Sequence, residues 1–390
     1  MSTVSVAPPD HIIPTYKRWP LEVVSGRGAR LYDAEGRSYI DCVAGIAVAS
    51  VGHAHPRVAA AISEQAGRLI HVSNLYETRP QKLLAARLAE LTDGMLSFFC
   101  NSGAEAVEAA LKLARKRAHG SGCESPRVIS AEGSFHGRTL GALTATGQPS
   151  KRAGFGPLPE GFDYVAYGDS EALEEAMGED VAAVLLEPLQ GEGGVVVPPP
   201  GYLGTARRLC DRFGALLVLD EVQTGVGRTG QWWAHQHDRV APDVMCVAKA
   251  LAGGLPMGAC LATAEAAAAF APGDHATTFG GGPVQSAAAL ATLAVIDEEG
   301  LLARARACGE ELIQGLRRIW PHRAVRGRGL LVAIELDQPR SREVAERALA
   351  WGLLVNDVTP TVLRLAPPLV ITDDEIEEAL AILAEVADAV

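Results

Sequence analysis

The sequence predicts an α/β protein in which a larger, mostly parallel sheet covered by helices is followed by a smaller α+β domain. Three observations predict it. Between about residues 51 and 282, short apolar runs alternate with helical patterns, as expected for a parallel sheet with helical crossovers. Glycines at 280, 281 and 282 end that alternation, and long helical patterns with short strands take over. With 390 residues, 48% hydrophobic and 21% charged, the chain is also too long for one compact core.

In chain order, residues 29–33 and 38–42 flank a turn containing Gly36 and read as a small hairpin. The hairpin belongs to an N-terminal arm, residues 1–50, expected to pack with the small domain. The large domain, residues 51–282, takes its strands from the apolar runs 96–100, 127–130, 181–186, 215–219 and 244–247. The small domain, residues 283–390, has strands at 330–336 and 362–365. Its last helix starts at a capping box, Thr372 and Glu375, and puts Ile376, Ala379, Leu380 and Leu383 on one face.

A net charge of −12 opposes broad attraction to nucleic acid or an anionic membrane, which leaves small molecules as the expected partners. The 7 cysteines are scattered without a C-x-x-C pair, the pattern of a cytoplasmic chain without a disulfide framework. The start of the chain lacks a basic segment followed by an apolar one, and the alanine-rich stretch 259–271 is interrupted by Glu265. Neither a secretion signal nor a membrane span is expected.

In open α/β sheets ligands collect beyond the carboxyl ends of the strands, so polar residues directly after apolar runs are the candidates for function. Four places qualify. Ser102, Gly103 and Ala104 open a helix after the run ending at Cys100, and a helix N-terminus offers free N–H groups to a phosphate. Phe135 follows the run at 127–130 and suits stacking on a planar ring, with Val222 on the opposite face. Asp220 ends the run at 215–219 and leads into Glu221, Val222 and Gln223; a carboxylate buried there needs a cation, such as a protonated pyridine nitrogen. Lys249 follows the run at 244–247, where burial favours the neutral, nucleophilic amine. Each alone has an ordinary structural explanation, as a helix cap, core aromatic, turn cap or snorkelling lysine. Their weight comes from lying in order at successive strand ends.

The segments NSGAEA (101–106), FHGRTLGALTATGQP (135–149), LEPLQGEGGV (186–195), LLVLDEVQTGVGRTG (216–230), AKALAGGLPMGA (248–259), TTFGG (277–281) and LRLAPPL (363–369) span nearly the whole chain. Together they resemble the class III, or ω-amino-acid, aminotransferases of pyridoxal-phosphate fold type I. The resemblance implies pyridoxal 5'-phosphate as cofactor, with Lys249 linked covalently to its aldehyde carbon and Asp220 paired with its ring nitrogen. It also implies Ser102, Gly103 and Ala104 at the phosphate, Phe135 on the ring and Gln223 near the ring hydroxyl, with Glu221 and Val222 beside them. Thr278 would reach the phosphate of a neighbouring subunit, so a homodimer with shared active sites is implied, and Thr277 would lie at the substrate.

A transaminase must take two amino-acid substrates in one pocket, which calls for cations at two distances from the reacting carbon, and arginine suits carboxylates through its bidentate fork. The resemblance places Arg138 on the α-carboxylate of N2-acetyl-L-ornithine, whose distal amine reacts. It places Arg364 on the carboxylate of glutamate or 2-oxoglutarate, with Glu192 covering Arg364 while the donor is bound. The implied reaction alternates donor and acceptor through pyridoxamine phosphate. Ornithine, 4-aminobutyrate or another ω-amino acid, including carrier-bound lysine, is the alternative donor.

Two positions depart from the family pattern: Val107 and Gly282 stand where asparagine is usual, which predicts a looser loop around Thr278. Residues 225–230 match G-x-G-x-x-G literally and would suggest a nicotinamide oxidoreductase, but the glycines do not directly follow a strand or open a clear helix. The pairs His53 and His55, and His235 and His237, lack a third nearby ligand and are read as loop or capping residues, so no metal is expected.

Overall fold

The computed structural model of the protein describes residues 11–388, so residues 1–10 of the expected N-terminal arm lie outside them. The predicted hairpin is present as β2 (Arg30–Asp33) and β3 (Ser38–Asp41), extended by β1 (Val23–Arg27). Asp33 closes its turn by accepting the backbone N–H groups of Glu35 and Arg37.

The main sheet is formed by β4 (Leu96–Cys100), β5 (Arg127–Ala131), β6 (Phe162–Val165), β7 (Val181–Leu186), β8 (Leu216–Asp220), β9 (Val244–Val247) and β10 (Gly258–Ala262). They run in the order β4-β10-β9-β8-β7-β5-β6. β5 to β9 are parallel, and β10 is antiparallel to both neighbours. Every residue of β7, β8 and β9 is buried, which is why these strands read as unbroken apolar runs. β6 and β10 were not among the expected strands. β6 is a half-buried edge, and β10 is built of small residues at the start of the alanine-rich stretch.

After the helix Pro283–Glu298, which packs on the helices Pro56–Arg68 and Arg79–Leu91, the chain forms a second helix, Leu301–Ile319. It then forms β11 (Val325–Arg328), β12 (Leu331–Glu335), β13 (Leu353–Leu354), β14 (Asn356–Thr359) and β15 (Val362–Leu365). β11-β12-β15-β14 make an antiparallel sheet, whereas β13 joins the N-terminal strands by pairing parallel to β3. The last helix, Asp373–Asp388, begins at the expected capping box, with Glu375 N donating to Thr372 Oγ1 and Thr372 N to the Glu375 carboxylate. A single apolar cluster runs from Ile40 of β3 through Met245 of β9 to Leu363 of β15. The cluster ties the N-terminal strands and β15 to the main sheet, and Arg364 of β15 reaches Gln223 at the carboxyl ends of the parallel strands, just past β8.

Candidate active site

A cavity of about 430 Å³ lies at those carboxyl ends, within the size range of small-molecule sites. Its floor is set by Asp220, the last residue of β8, only 4% exposed. Asp220 Oδ1 accepts the Val222 N–H at 3.0 Å, and Oδ2 accepts from His136 Nδ1 at 2.7 Å. The His136 ring is itself buried, and its Nε2 has no partner among the described residues. Nearby, Glu187 accepts the Phe135 N–H and the Gly191 N–H, both at 3.1 Å. Burial, reinforced by the Asp220 charge and opposed by His136, pushes the Glu187 carboxyl up to about 7.

Lys249 follows β9 and adopts φ 43°, a left-handed conformation that side-chain-bearing residues rarely hold. Such backbone strain is usually found where a side chain must point in one particular direction. The side chain reaches into the cavity and has no hydrogen-bond or ion-pair partner among the described residues. Burial lowers its amine basicity; Glu192 opposes that shift and Arg364 adds to it.

One wall is the N-terminus of the helix Gly103–Gly120. Ser102 caps it, its Oγ accepting from Glu105 N at 3.2 Å, while the Glu105 carboxylate turns back to Asn101 N at 2.5 Å and Asn101 Nδ2 at 2.9 Å. The first-turn amides of Gly103 and Ala104 have no acceptor within the helix and sit at the positive end of its dipole. Close packing explains the glycines here. A Cβ on Gly103 would lie 2.7 Å from Val222 Cγ1, and one on Gly137, already at φ +139°, would lie 2.7 Å from the Ala104 Cβ.

At the other end Arg364 of β15 is 2% exposed. It donates to Glu192 Oε1 at 2.6 Å, to Gln223 Oε1 at 2.9 Å and to Asn356 Oδ1 at 2.5 Å. Gln223 Nε2 donates to the same Glu192 oxygen at 3.2 Å, so both ends of its amide serve the ion pair. Burial raises the Glu192 carboxyl, but Arg364 and Lys249 outweigh it and hold it below the usual carboxylate range. Arg138, by contrast, is exposed at the mouth with its guanidinium 5.3 Å from the Phe135 ring centre and no carboxylate partner among the described residues.

Of the sequence-predicted residues, Ser102, Gly103, Ala104, Phe135, Arg138, Glu192, Asp220, Val222, Gln223 and Lys249 line the cavity, and Arg364 joins it through Glu192 and Gln223. Glu221 does not line the cavity. It alternates away from the cavity and is buried against His235, accepting from its backbone N–H and from its Nδ1, both at 2.9 Å. Thr277 and Thr278 lie outside this cavity, on a separate rim with Asn74 and Phe98. In the rim loop, Asn74 Nδ2 donates to the Thr277 and Gly280 carbonyls, both at 3.0 Å. Val107 is fully buried on the sheet-facing side of its helix, an apolar position in which it packs without needing a partner.

Sequence reading missed His136, Glu187 and Asn356. Glu187 directly follows the apolar strand β7, so the same strand-end rule would have found it. His136 carried a signal only as the neighbour of Phe135. Asn356 carried none, because it meets Arg364 only as its register partner across β14 and β15. The run 225–230 forms successive turns and opens no helix. The paired histidines point apart: His53 meets Asp41, His55 meets Glu299, His235 meets Glu221 and His237 meets the Thr229 carbonyl.

A buried carboxylate, an unpartnered amine and an open helix N-terminus around one cavity form a donor set for a flat cationic ring bearing an aldehyde and a phosphate. That is the chemistry of pyridoxal 5'-phosphate, and the site is that of a pyridoxal-phosphate-dependent transaminase of fold type I. The chain belongs to the class-III aminotransferase family, whose model matches residues 13–387. It is 49% identical to the acetylornithine aminotransferase of Corynebacterium efficiens over 389 residues, covering 97% of this chain and 95% of that relative. It is 50% identical to the acetylornithine aminotransferase of Methanopyrus kandleri over 375 residues, covering 95% of each. Among solved structures, the ornithine aminotransferase of Toxoplasma gondii superposes with a TM-score of 0.94 at 37% identity, covering 97% of this chain and 93% of that one. The N-acetylornithine aminotransferase of Stenotrophomonas maltophilia gives 0.84 at 38% identity, covering 96% and 97%.

Proposed function

We propose that the chain moves the distal amino group of N2-acetyl-L-ornithine to 2-oxoglutarate, giving N-acetyl-L-glutamate 5-semialdehyde and L-glutamate. The observation that carries this reading is the unequal state of two cations: Arg138 is open at the mouth, whereas Arg364 is buried under Glu192. A donor reacting through its distal amine has its carboxylate far from the reacting carbon and needs the open cation. Glutamate and 2-oxoglutarate carry a carboxylate beside that carbon and need the covered one, so Glu192 must turn aside for them. The named activity of the relatives at 49 and 50% identity supports the acetylated donor.

In this reading Lys249 and Asp220 hold the cofactor's aldehyde carbon and ring nitrogen, and Phe135 and Val222 cover the ring faces. Ser102, Gly103 and Ala104 receive the phosphate. The cofactor supplies an aldehyde to accept the amino group and a protonated ring that draws electrons from the substrate carbon. Asp220, oriented by His136, keeps the proton on that ring nitrogen. Lys249 Nζ, its basicity lowered by burial, takes the proton from the substrate carbon and returns it one position away. Glu192 cancels the Arg364 charge while no carboxylate is bound there, which avoids an isolated buried cation.

The rim loop supports a homodimer. Leu75, Tyr76 and Phe279 are 86, 70 and 60% exposed beside Thr278, an apolar surface suited to a second copy, with Thr278 facing the partner's phosphate. The decisive experiment is a donor panel with 2-oxoglutarate, read as glutamate formed. Acetylornithine should exceed ornithine, 4-aminobutyrate and carrier-bound lysine in kcat/KM. A preference for 4-aminobutyrate would discard the donor and leave the class of reaction standing.

A further inference from the structure

The run 225–230 was singled out by its glycines, yet its most unusual member is Arg228, which is 0% exposed. Its guanidinium meets no carboxylate among the described residues. Nη1 donates to the Leu330 carbonyl at 3.0 Å and to the Pro367 carbonyl at 2.5 Å, Nη2 donates to Ser50 Oγ at 3.0 Å, and Nε has no partner among the described residues. These partners belong to three segments far apart in the chain: the N-terminal arm, the turn entering β12, and the exit from β15.

The exit from β15 is the informative one, because Pro367 lies three residues beyond Arg364. The same stretch is gripped from the arm, with Ala366 N donating to the Cys42 carbonyl and Leu369 N to the Ser50 carbonyl, both at 2.7 Å. Leu330 N in turn donates to the Arg228 carbonyl at 3.0 Å, so Arg228 grips the turn before β12 by both backbone and side chain. β12 pairs with β15 directly, and Ala333 is the register partner of Arg364. Arg228 therefore grips the strand carrying Arg364 just past its end and also grips the turn leading into its neighbour. None of these bonds reaches the cavity.

We propose that Arg228 is a positioning residue for the acceptor: by joining Ser50, Leu330 and Pro367 it sets where the Arg364 guanidinium stands, and so sets recognition of the carboxylate beside the reacting carbon of 2-oxoglutarate and glutamate. The proposal rests on the reading of Arg364 as that carboxylate's site. A buried guanidinium without a counter-carboxylate is an expensive way to join three loops, since burial disfavours its charge. Burial lowers the Arg228 pKa to about 9, with Asp41 opposing and Arg364 adding to the shift, so the group stays cationic at neutral pH. A planar fork with several donors is what distinguishes arginine from lysine in this role.

The test compares Arg228→Lys, which keeps the charge and loses the fork, with Arg364→Ala in the holoenzyme, using donor and acceptor titrations separately. For R228K the KM for 2-oxoglutarate should rise about tenfold, while the donor KM and borohydride labelling of Lys249 stay within about twofold, because a displaced binding group costs affinity only for the ligand that uses it. A partial clamp is tested by Ser50→Ala, which should raise the acceptor KM about two- to threefold and leave the donor KM alone. It also decides the matter if R228K fails to fold. Equal shifts for donor and acceptor, or an unchanged acceptor KM in the variants that fold, would overturn the role of Arg228. If Arg364→Ala itself leaves the acceptor KM unchanged, the underlying reading of Arg364 fails instead.

Discussion

The two ends of the cavity are built differently. At the cofactor end, Asp220, Lys249, Phe135 and the Ser102 cap sit where four strands of one sheet finish, and their charged groups do not pair with one another. At the substrate end, Glu192, Gln223, Asn356 and Arg364 come from a loop, a strand exit and a separate sheet, and they neutralise each other. The first end holds charges ready for a permanent occupant. The second holds a charge covered by Glu192, which in the proposed reading a substrate carboxylate uncovers by taking that place. Fixed chemistry and switchable recognition are therefore separated within one pocket, so damage to one end should leave the other measurable.

The sharpest break of that separation is Lys249→Ala. If Lys249 Nζ moves the proton as proposed, its loss should cut turnover about 10⁴-fold and abolish borohydride labelling, yet leave Glu192 and Arg364 paired. Full activity in this variant would end the account of the cofactor end. Next in size is Arg364→Ala, which removes a charged, forked contact and should lower acceptor kcat/KM by an amount equivalent to about 3–5 kcal/mol, with the donor half-reaction still observable in single-turnover assays. If donor and acceptor fall together, the two ends are not separable.

The same difference explains what could be read from sequence. The cofactor end was legible because each polar cluster directly follows an apolar run, so chain order reports spatial order. That rule also covers Glu187 after β7, where it was not applied. The substrate end was not legible from pattern: Arg364 and Glu192 are 172 positions apart and stood out only by resemblance. Asn356 needs the β14–β15 register, and Arg228 needs three segments to meet. Glu221, next to Asp220 in the chain, turns to His235 instead, since residues adjacent at a strand exit need not point into the same space. In the main sheet, β10 escaped notice because small residues give strand and helix the same appearance.

Glu187 lies between the two ends, holding the Phe135 loop by one oxygen and the Gly191 turn before Glu192 by the other. Burial raises its folded pKa from 4.5 to about 7, and Asp220 and His136 are the titratable groups facing it. Between those values the folded chain binds more protons than the unfolded one, so this group's stabilisation is full at the acid side and is lost as pH rises through about 7. The loss has an upper bound of about 3 kcal/mol. Glu187→Gln should flatten the difference in urea midpoint between acid and neutral pH. An unchanged difference would mean that another group carries the titration.

The smallest expected effect is at the mouth. Arg138 is exposed, so its pairing with a donor carboxylate is screened, and its loss should sit near the low end of the range for charged hydrogen bonds, about 1.5 kcal/mol or roughly tenfold in donor KM. Its stacking on Phe135 adds a second consequence, because truncation to alanine also removes the cation from over that ring. Donor and acceptor titrations separate the two: a donor KM that rises in Arg138→Ala, and less in Arg138→Lys, with the acceptor KM unmoved, assigns the effect to carboxylate binding. If the acceptor KM moves as much as the donor KM, Arg138 serves the ring rather than the donor, and the mouth belongs with the cofactor end.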